Sequence, residues 1–462
     1  MANYPNPTQP IIIDSRQVSS SKLDFYFRRF CFVSAGESTL SAGEYKELDS
    51  TNWQDFCKKD TRLYKEVQAH FIYTSASKVC YILETQATTE AQVISVSADL
   101  AFSKDSQTIT SLSLKAGDII KINTAEGISV EVDSSFLQVS ENGYNVLKSG
   151  TTSITAKKTT QSEDSQDTTE SKSLSVTIAN ADLSANIKVL EQFIKDETTR
   201  FYNYGLSEEF YKDSNIIDIL ALNTALDSSL YFTFSISDLS HYNKELTSGH
   251  KGVIVLYDNA TKYPLLGSFA GVFTNSQFDL SANNPASPVC FKSIVNNTYK
   301  VLTASQARFC TENGISFLGD IGGYVALMGG RCQDMHAIDF WYQVDLMHFY
   351  IKEAITMLLY NGVNNPRYVI PFNQSGIDIA KATIKSVYDN KGKEFGLITE
   401  YAQGYDQATG ELLGQGGIYS IDFADYIKTN HADYEAGIYD GFSAYEQVGK
   451  YILQVIYRTT LG

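Results

Sequence analysis

Apolar residues fall into short runs and helical repeats that predict α/β structure on both sides of a differently patterned middle. Consecutive apolar residues predict buried strands, and apolar residues at steps of three and four predict helices that face a core. These patterns predict strands at 30–33, 79–83, 230–235 and 253–257, and helices at 51–56, 65–71 and 187–198. Because the pattern breaks near residue 90 and resumes after 181, we expect one discontinuous α/β domain, 21–91 with 180–284.

The middle of the chain, residues 92–179, consists of short alternating segments separated by turns. Such segments are typical of strands with one buried face, and a series of them predicts an inserted β-sandwich. The predicted strands are 93–96, 112–114, 119–123, 129–132, 136–139, 153–157 and 174–178. Residues 159–173 contain no apolar side chain, which predicts an exposed, mobile loop.

Pairs of glycines occur in the segment that precedes the longest amphipathic pattern. Gly322-Gly323 and Gly329-Gly330 predict turns on either side of a strand at 324–328, because glycine adopts positive φ without strain. A helix at 303–312 precedes this hairpin.

A long helix is predicted to begin near Asp339 and to stop at Asn361-Gly362, with a second helix at 376–388. Charged residues interrupt the apolar face of the long helix, which argues against a membrane span. We expect a third domain at 285–445, and its predicted core includes Gly323, Gly330, Trp341 and Leu358.

Composition narrows the possible functions. The net charge of −16 disfavours binding to nucleic acid or to an anionic membrane, since no stretch of lysine and arginine is dense enough to neutralise phosphates. The six cysteines lack a CxxC pair, which predicts reduced thiols made in a cytoplasm. The N-terminus lacks a secretion signal, and no apolar run is long enough to span a membrane.

No motif indicates catalysis. The P-loop and GxGxxG patterns are absent, and no carboxylate lies in a nucleophile elbow or triad order. The histidines lack HExxH or Cys/His ligand spacing; they are His70, His241, His250, His336, His348 and His431. We therefore expect a protein that is not an enzyme and has no catalytic residues, cofactor or bound metal.

Both chain ends carry β-prone residues. Ile11, Ile12 and Ile13 interrupt a Pro- and Ser-rich arm at 1–20, which is either a disordered tail or a strand that pairs with another subunit. At the other end, the arm 446–462 has the pattern of a strand or interface segment; its key residues are Ile452, Val455 and Ile456.

The third domain and the flanking α/β segments resemble the contractile tail sheath proteins of myovirus-type bacteriophages, a family that also includes sheaths of bacteriocins and type VI secretion systems. The resemblance spans about 20–90 and 180–440, and these residues carry it: Pro288 to Lys292, Leu302-Thr303, Asn313 to Phe317, Gly329 to Arg331, Asp334, Asp339 to Trp341, Leu358-Leu359 and Ser375 to Ile377. It implies a multidomain α/β (α+β) tail-sheath fold with extended terminal arms.

The middle segment departs from that family. Its pieces Gly117-Asp118, Glu141 to Tyr144, Ser149 to Ala156 and Leu174 to Ile178 resemble bacterial immunoglobulin-like repeats of the second type. The insertion would then be an all-β immunoglobulin-like sandwich. It is either an outward decoration or a module that binds cell-surface glycans weakly and in many copies.

The sheath resemblance implies a structural subunit that polymerises helically around a tail tube and contracts to drive the tube through the host envelope. Partners would be further copies of the chain, the tube protein, and baseplate and tail terminator proteins, with no nucleic acid and no stable membrane insertion. The protein would be part of the virion, assembled in the host cytoplasm. The terminal arms would add strands to neighbouring subunits.

Four lysines surround the second C-terminal helix: Lys381, Lys385, Lys391 and Lys393. They form either a solvated basic face or, as the resemblance implies for Lys381 and Lys385, a face that docks an acidic tube. The competing functional class is a non-contractile binding protein, such as a tail fibre or an adhesin with an immunoglobulin-like module.

Overall fold

The fold comes from a computed structural model of the chain. The structure describes residues 29–73, 79–86, 93–99, 101–115, 118–134, 136–140, 143–146, 150–160, 168–179, 183–196, 201–225, 230–275, 288–364, 369–393, 395–398, 401–402, 415–416, 419–429 and 431–446.

A mixed sheet of eight strands organises most of the chain. Its strands are β1 (Phe30–Ser34), β2 (Tyr45–Asp49), β3 (Val79–Glu84), β14 (Asn203–Leu206), β15 (Tyr231–Ile236), β16 (Val253–Tyr257), β17 (Ile315–Ile321) and β18 (Tyr324–Met328). Their order is β18-β17-β16-β15-β14-β1-β3-β2, and the six inner strands are parallel. The predicted strands at 30–33, 79–83, 230–235 and 253–257 are therefore confirmed.

Helices cover both faces of this sheet, as its buried parallel strands require. The helices of the first half are α1 (Trp53–Phe56), α2 (Arg62–Ile72), α3 (Ser184–Asp196), α4 (Glu208–Tyr211), α5 (Asp213–Ala225), α6 (Lys244–Thr247) and α7 (Leu265–Asn275). One core packs α2 and α7 against residues such as Phe30 and Phe32, and the other packs α3 and α5 against Cys31 and Val33. Alternate residues of β1 thus enter opposite cores.

The domain boundary predicted at residues 284 and 285 cuts through this sheet. β17 pairs in parallel with β16, with Val255 opposite Ile315, and β18 continues as an antiparallel hairpin. The predicted third domain therefore contributes strands to the same sheet as the first. The pattern of residues could not reveal this pairing, because it joins strands that lie far apart in sequence.

The inserted segment is all-β and forms two sheets. Its strands are β4 (Val93–Asp99), β5 (Ala101–Lys104), β6 (Gln107–Ile109), β7 (Ser111–Lys115), β8 (Ile119–Thr124), β9 (Ile128–Val132), β10 (Leu137–Ser140), β11 (Gly143–Val146), β12 (Gly150–Thr160) and β13 (Thr168–Ala179). The sheet orders are β10-β11-β8-β4-β5-β6 and β7-β13-β12-β9. Apolar residues from both sheets, including Val96, Ile120, Ile154 and Val176, form one core of their own.

Much of the predicted loop at 159–173 is strand. β12 and β13 pair without a break from Gly150 opposite Ile178 to Thr160 opposite Thr168. Exposed threonine and serine favour a pleated ribbon even without an apolar face, which is why a prediction from hydrophobicity missed it.

Long and short helices and two small sheets complete the chain. The elements are α8 (Ala304–Glu312), α9 (Ile338–Asn364), α10 (Gln374–Val387), a π-helical turn (Tyr388–Lys393), β19 (Tyr401–Ala402), β20 (Gln415–Gly416), β21 (Tyr419–Phe423), α11 (His431–Ala436) and β22 (Phe442–Glu446). The helix stop predicted at Asn361-Gly362 is wrong, since α9 continues to Asn364. Thr303 caps α8 through a reciprocal capping box with Gln306.

Candidate assembly surfaces

A small antiparallel sheet near the end of the described chain has only two strands. β21 and β22 pair from Tyr419 opposite Glu446 to Phe423 opposite Phe442. The Phe423 and Phe442 rings lie 5.1 Å apart. Ile421 and Phe423 pack against the core that contains Phe30 and Phe32, here called the main core. Within the part of the chain that the structure describes, each strand pairs with one other strand only. A two-stranded sheet is marginally stable alone and offers two edges for added strands.

Apolar side chains are exposed around this small sheet. Ile427 is 89% exposed and Tyr445 is 54% exposed, and Tyr434 and Phe442 are also on the surface. Tyrosine combines a large apolar ring with a polar hydroxyl, a combination that is enriched in protein interfaces. The cluster therefore has the composition of a surface that another chain covers.

The predicted tube-facing lysines, Lys381 and Lys385, lie one helical turn apart and both are exposed on α10. The opposite face of α10 is buried through Ile377, Ile384 and Val387. The Lys381 ammonium lies 5.7 Å from the centre of the Phe423 ring. The two charges therefore project from a helix that is anchored in the main core.

The other two lysines of this cluster make closer contacts with the protein itself. Lys393 donates to Asp389 at 2.8 Å, and Tyr419 donates to the same carboxylate at 2.9 Å. These hydrogen bonds lower the pKa of Asp389 from its ordinary value. The half-buried Lys391 lies over the Tyr350 and Phe395 rings. We therefore separate these lysines from the pair on the outer face of α10.

The residues predicted for the C-terminal core lie in different environments. Gly330 is buried at φ +72°, and an added Cβ would lie 2.8 Å from the Cys290 nitrogen. Gly323 is exposed in the β17–β18 turn at φ +88° with open space around it, so its placement in the core was wrong. The turn requires the positive φ of Gly323 rather than the absence of a side chain at this position.

Trp341 and Leu358 both lie on α9 and are half-buried. The Trp341 indole donates to Asp334 at 2.6 Å, and the Lys251 ammonium lies 4.4 Å from the centre of its ring. Trp341 therefore lies at the edge of the core rather than in its centre.

The predicted arm residues lie outside the described residues. They are Ile11, Ile12, Ile13, Ile452, Val455 and Ile456. The described residues end with Glu446 in β22, and the rest of the predicted C-terminal arm follows that strand in the sequence.

The outer face of the smaller sheet of the insertion is rich in hydroxyl groups. Thr155 and Ser173 oxygens lie 2.9 Å apart across β12 and β13, and Lys157 pairs with Glu131 at 2.6 Å. Further exposed serine and threonine residues line the same face: Ser111, Ser113, Ser129, Thr151, Ser153, Thr159, Thr169, Ser171, Ser175 and Thr177. The face is therefore polar but nearly neutral.

Neither a metal-binding cluster nor a membrane-spanning helix occurs among the described residues. No group of three or more His, Cys, Asp or Glu side chains there is arranged to hold a metal ion. Within the same residues, no helix combines the length and the apolar character needed to cross a bilayer. All six cysteines are described, none forms a disulfide, and only Cys290 is not buried.

No protein-family model and no curated protein matches this sequence. Solved structures do match the fold. A chain of an extracellular contractile injection system, the PVC sheath complex in its contracted state, matches with a TM-score of 0.52 at 11% identity. The match covers 98% of this chain and 99% of that chain. The chain has the fold of a contractile sheath protein.

A second match supports the sheath fold. A chain in the contracted baseplate of the anti-feeding prophage has a TM-score of 0.51 at 8% identity, again covering 98% of this chain and 99% of that one. A sheath tail protein from Desulfitobacterium hafniense is less similar, with a TM-score of 0.45 at 9% identity, covering 86% and 92%. The match to a sheath fold over nearly the whole chain does not favour a fibre or an adhesin. The immunoglobulin-like class of the insertion stays a prediction.

Sequence reasoning did not identify the β21–β22 sheet or the aromatic residues around it. The alternation of Tyr419, Ile421 and Phe423 was a usable signal for the first strand. The second strand carries no such signal, since Phe442 and Tyr445 lie three positions apart.

Proposed function

We propose that this protein is the structural subunit of a contractile sheath that polymerises helically around an inner tube and contracts to drive that tube through a cell envelope. The observation that carries this proposal is the end-to-end match of its fold to the PVC sheath chain. A match that spans both chains almost completely supports a shared architecture rather than a shared single domain.

The two-stranded sheet supports a route for assembly. In this proposal, the N-terminal arm and the C-terminal arm of neighbouring copies add strands to the edges of β21 and β22. Added strands gain main-chain hydrogen bonds, and Ile11, Ile12 and Ile13 would cover apolar surface of the kind that Tyr445 exposes. Contacts between unlike patches build a helix of many copies when the rotation from one copy to the next does not close a flat ring.

The exposed pair on α10 supports a tube-facing role. Lys381 and Lys385 would contact an acidic surface of the tube protein, and the ends of the sheath would meet baseplate and tail terminator proteins. In this proposal the particle is assembled in the host cytoplasm and becomes part of a virion or a related injection machine. The insertion would be an immunoglobulin-like sandwich on the outside of the particle.

Electron microscopy of the purified full-length chain tests the proposal. We expect long hollow cylinders by negative stain. Changing Ile11, Ile12 and Ile13 together to Asp should abolish the cylinders and leave soluble protein, because charged residues cannot cover an apolar edge. Changing the same residues to Val keeps their β-branched shape and should keep the cylinders. Monomers or closed trimers at all concentrations would contradict the proposal.

A further inference from the structure

The Glu84 carboxylate lies in a dense set of hydrogen-bond donors at the end of β3. One of its oxygens accepts from the backbone nitrogens of Gly36 and Gln86, both at 2.8 Å. The other accepts from the hydroxyls of Ser34 and Ser38, both at 2.7 Å, and from the Ser38 nitrogen at 3.2 Å. Glu84 is only 2% exposed.

These donors are neutral groups. Among the described residues, none of the ion pairs involves Glu84. Three backbone N–H groups and two hydroxyls therefore hold this buried carboxylate. Converging backbone N–H groups form concavities that bind anions in many proteins. Gly36 adopts φ +93°, which helps to turn the 34–38 segment around the carboxylate.

The location is the one where open α/β sheets bind ligands. β1 lies between β3 and β14, and the chain passes first to β3 on one side and later to β14 on the other. Ligands of such sheets bind outside the carboxyl ends of the strands where the order reverses. Ser34 and Glu84 are the last residues of β1 and β3. The five donors around the Glu84 carboxylate, here called the cradle, therefore lie at this edge of the sheet.

We propose that segment 34–38 and the backbone of Gln86 form a carboxylate-binding site that the chain fills with its own Glu84 side chain. Emptying the site creates a receptor for a small monocarboxylate such as formate or acetate. The two oxygens of Glu84 already divide the five donors between them, and this arrangement suits a planar carboxylate better than a tetrahedral phosphate. The internal carboxylate also ties the β1 turn to β3.

The test is chemical rescue of full-length Glu84→Ala. Its thermal midpoint should fall, and replacing chloride by formate or acetate at constant ionic strength should raise it again. At an anion concentration ten times the Kd, the ratio of folded to unfolded protein should rise about elevenfold. Labelled acetate should broaden in NMR spectra with Glu84→Ala and not with the wild type.

Two matched controls separate site binding from a general salt effect. Glu84→Gln keeps the side chain in the cradle, so it should lose stability without being rescued. Glu44→Ala removes an exposed carboxylate just before strand β2, one that among the described residues accepts only from the Ser41 nitrogen at 2.9 Å, and should lose little stability and show no rescue. Adding Ser34→Ala and Ser38→Ala to Glu84→Ala removes two donors and should weaken acetate binding at least about tenfold.

Equal rescue of Glu84→Ala and Glu84→Gln, or no rescue of either, would overturn the proposal. Rescue by phosphate as strong as by acetate would overturn the assignment to carboxylates. If Glu84→Ala folds only poorly, the soluble yield on refolding with acetate against chloride decides. A yield that depends on acetate supports the site, and a yield that does not rejects it.

Discussion

The phenol of Tyr202 donates a 2.6 Å hydrogen bond to the carboxylate of Asp345 in the first third of α9. Tyr202 is 0% exposed and Asp345 is 1% exposed. This bond therefore joins the long helix to the residue that precedes β14, in the interior of the protein. A second phenol, that of Tyr231, donates to the backbone oxygen of Ile338 at 3.0 Å near the start of the same helix.

We expect Tyr202→Phe to lower the free energy of unfolding by about 1.5–3 kcal/mol, because hydrogen bonds to buried charged groups are stronger than those to neutral groups. Tyr231→Phe is the matched control, since it removes a bond to a neutral carbonyl and should cost about 1 kcal/mol. Denaturant unfolding measures both. Equal losses would contradict a special role for the pair.

Gly330 and Gly323 test the difference between backbone strain and close packing. Both have positive φ, but only at Gly330 would a Cβ meet other atoms, those of Cys290. Gly330→Ala should therefore destabilise the fold by about 2 kcal/mol more than Gly323→Ala. Thermal unfolding of the two variants in parallel is the measurement, and similar midpoints would refute the packing argument.

The buried carboxyl of Glu66 predicts a pH dependence of stability. Burial raises its pKa from 4.5 to about 7, although Arg62 donates to it at 2.5 Å. A raised carboxyl pKa means that the folded state holds a proton that the unfolded state has lost. The stability that this proton contributes is fully present below about pH 4.5 and is lost as the pH rises through about 7.

Glu66→Gln keeps the shape and removes the titration. We expect the variant to gain stability relative to the wild type between pH 5 and pH 7.5, at no more than about 1.4 kcal/mol per pH unit. Burial also raises the pKa of Asp258 and of Asp339 to about 6, so the wild type should keep part of its dependence in the variant. Glu131→Gln, at an exposed ion pair, is the control and should change nothing.

Charge reversal tests the outer face of α10. Lys381→Glu with Lys385→Glu should reduce loading of the protein onto purified tubes, as the proposed tube-facing role requires. Lys104→Glu with Lys121→Glu makes the same change in charge on the insertion and should leave loading unchanged. Cosedimentation with tubes measures both, and equal loading of the two variants would reject the assignment.

Removal of the insertion separates its two interpretations. Because 93–179 has its own core, replacing it by a short linker should leave the rest of the fold and the cylinders intact. Normal cylinders with reduced adsorption to cells would support a glycan-binding module. Unchanged adsorption would support an outward decoration.

The sequence predicted those parts of the fold that local patterns determine. The strand beginning at Phe30 and the turn at Gly322-Gly323 are set by a few neighbouring residues, and the structure has them where they were expected. The pairing of Val255 with Ile315 joins residues that are far apart in sequence, so no local pattern indicates it. The misplaced boundary at residue 284 follows from that limit.

The same limit applies to the sites. The sequence already grouped Lys381 and Lys385 on one predicted helix. By contrast, four of the five donors around Glu84 come from a segment about 50 residues away, and three of the five are backbone groups that any sequence has. Gly323 was assigned to the core because turn glycines and packing glycines look alike in a sequence. Only the surroundings of the missing Cβ distinguish them.

One continuous core runs from Phe30 in β1 through Met347 in α9 to Ile384 in α10. Close-packed interiors resist shear, so the face that carries Lys381 cannot slide against the large sheet without breaking that core. A force applied at α10 is therefore transmitted through this core to β1. In an assembly of such subunits, movement would occur at the contacts between copies, and each copy would move as a rigid body.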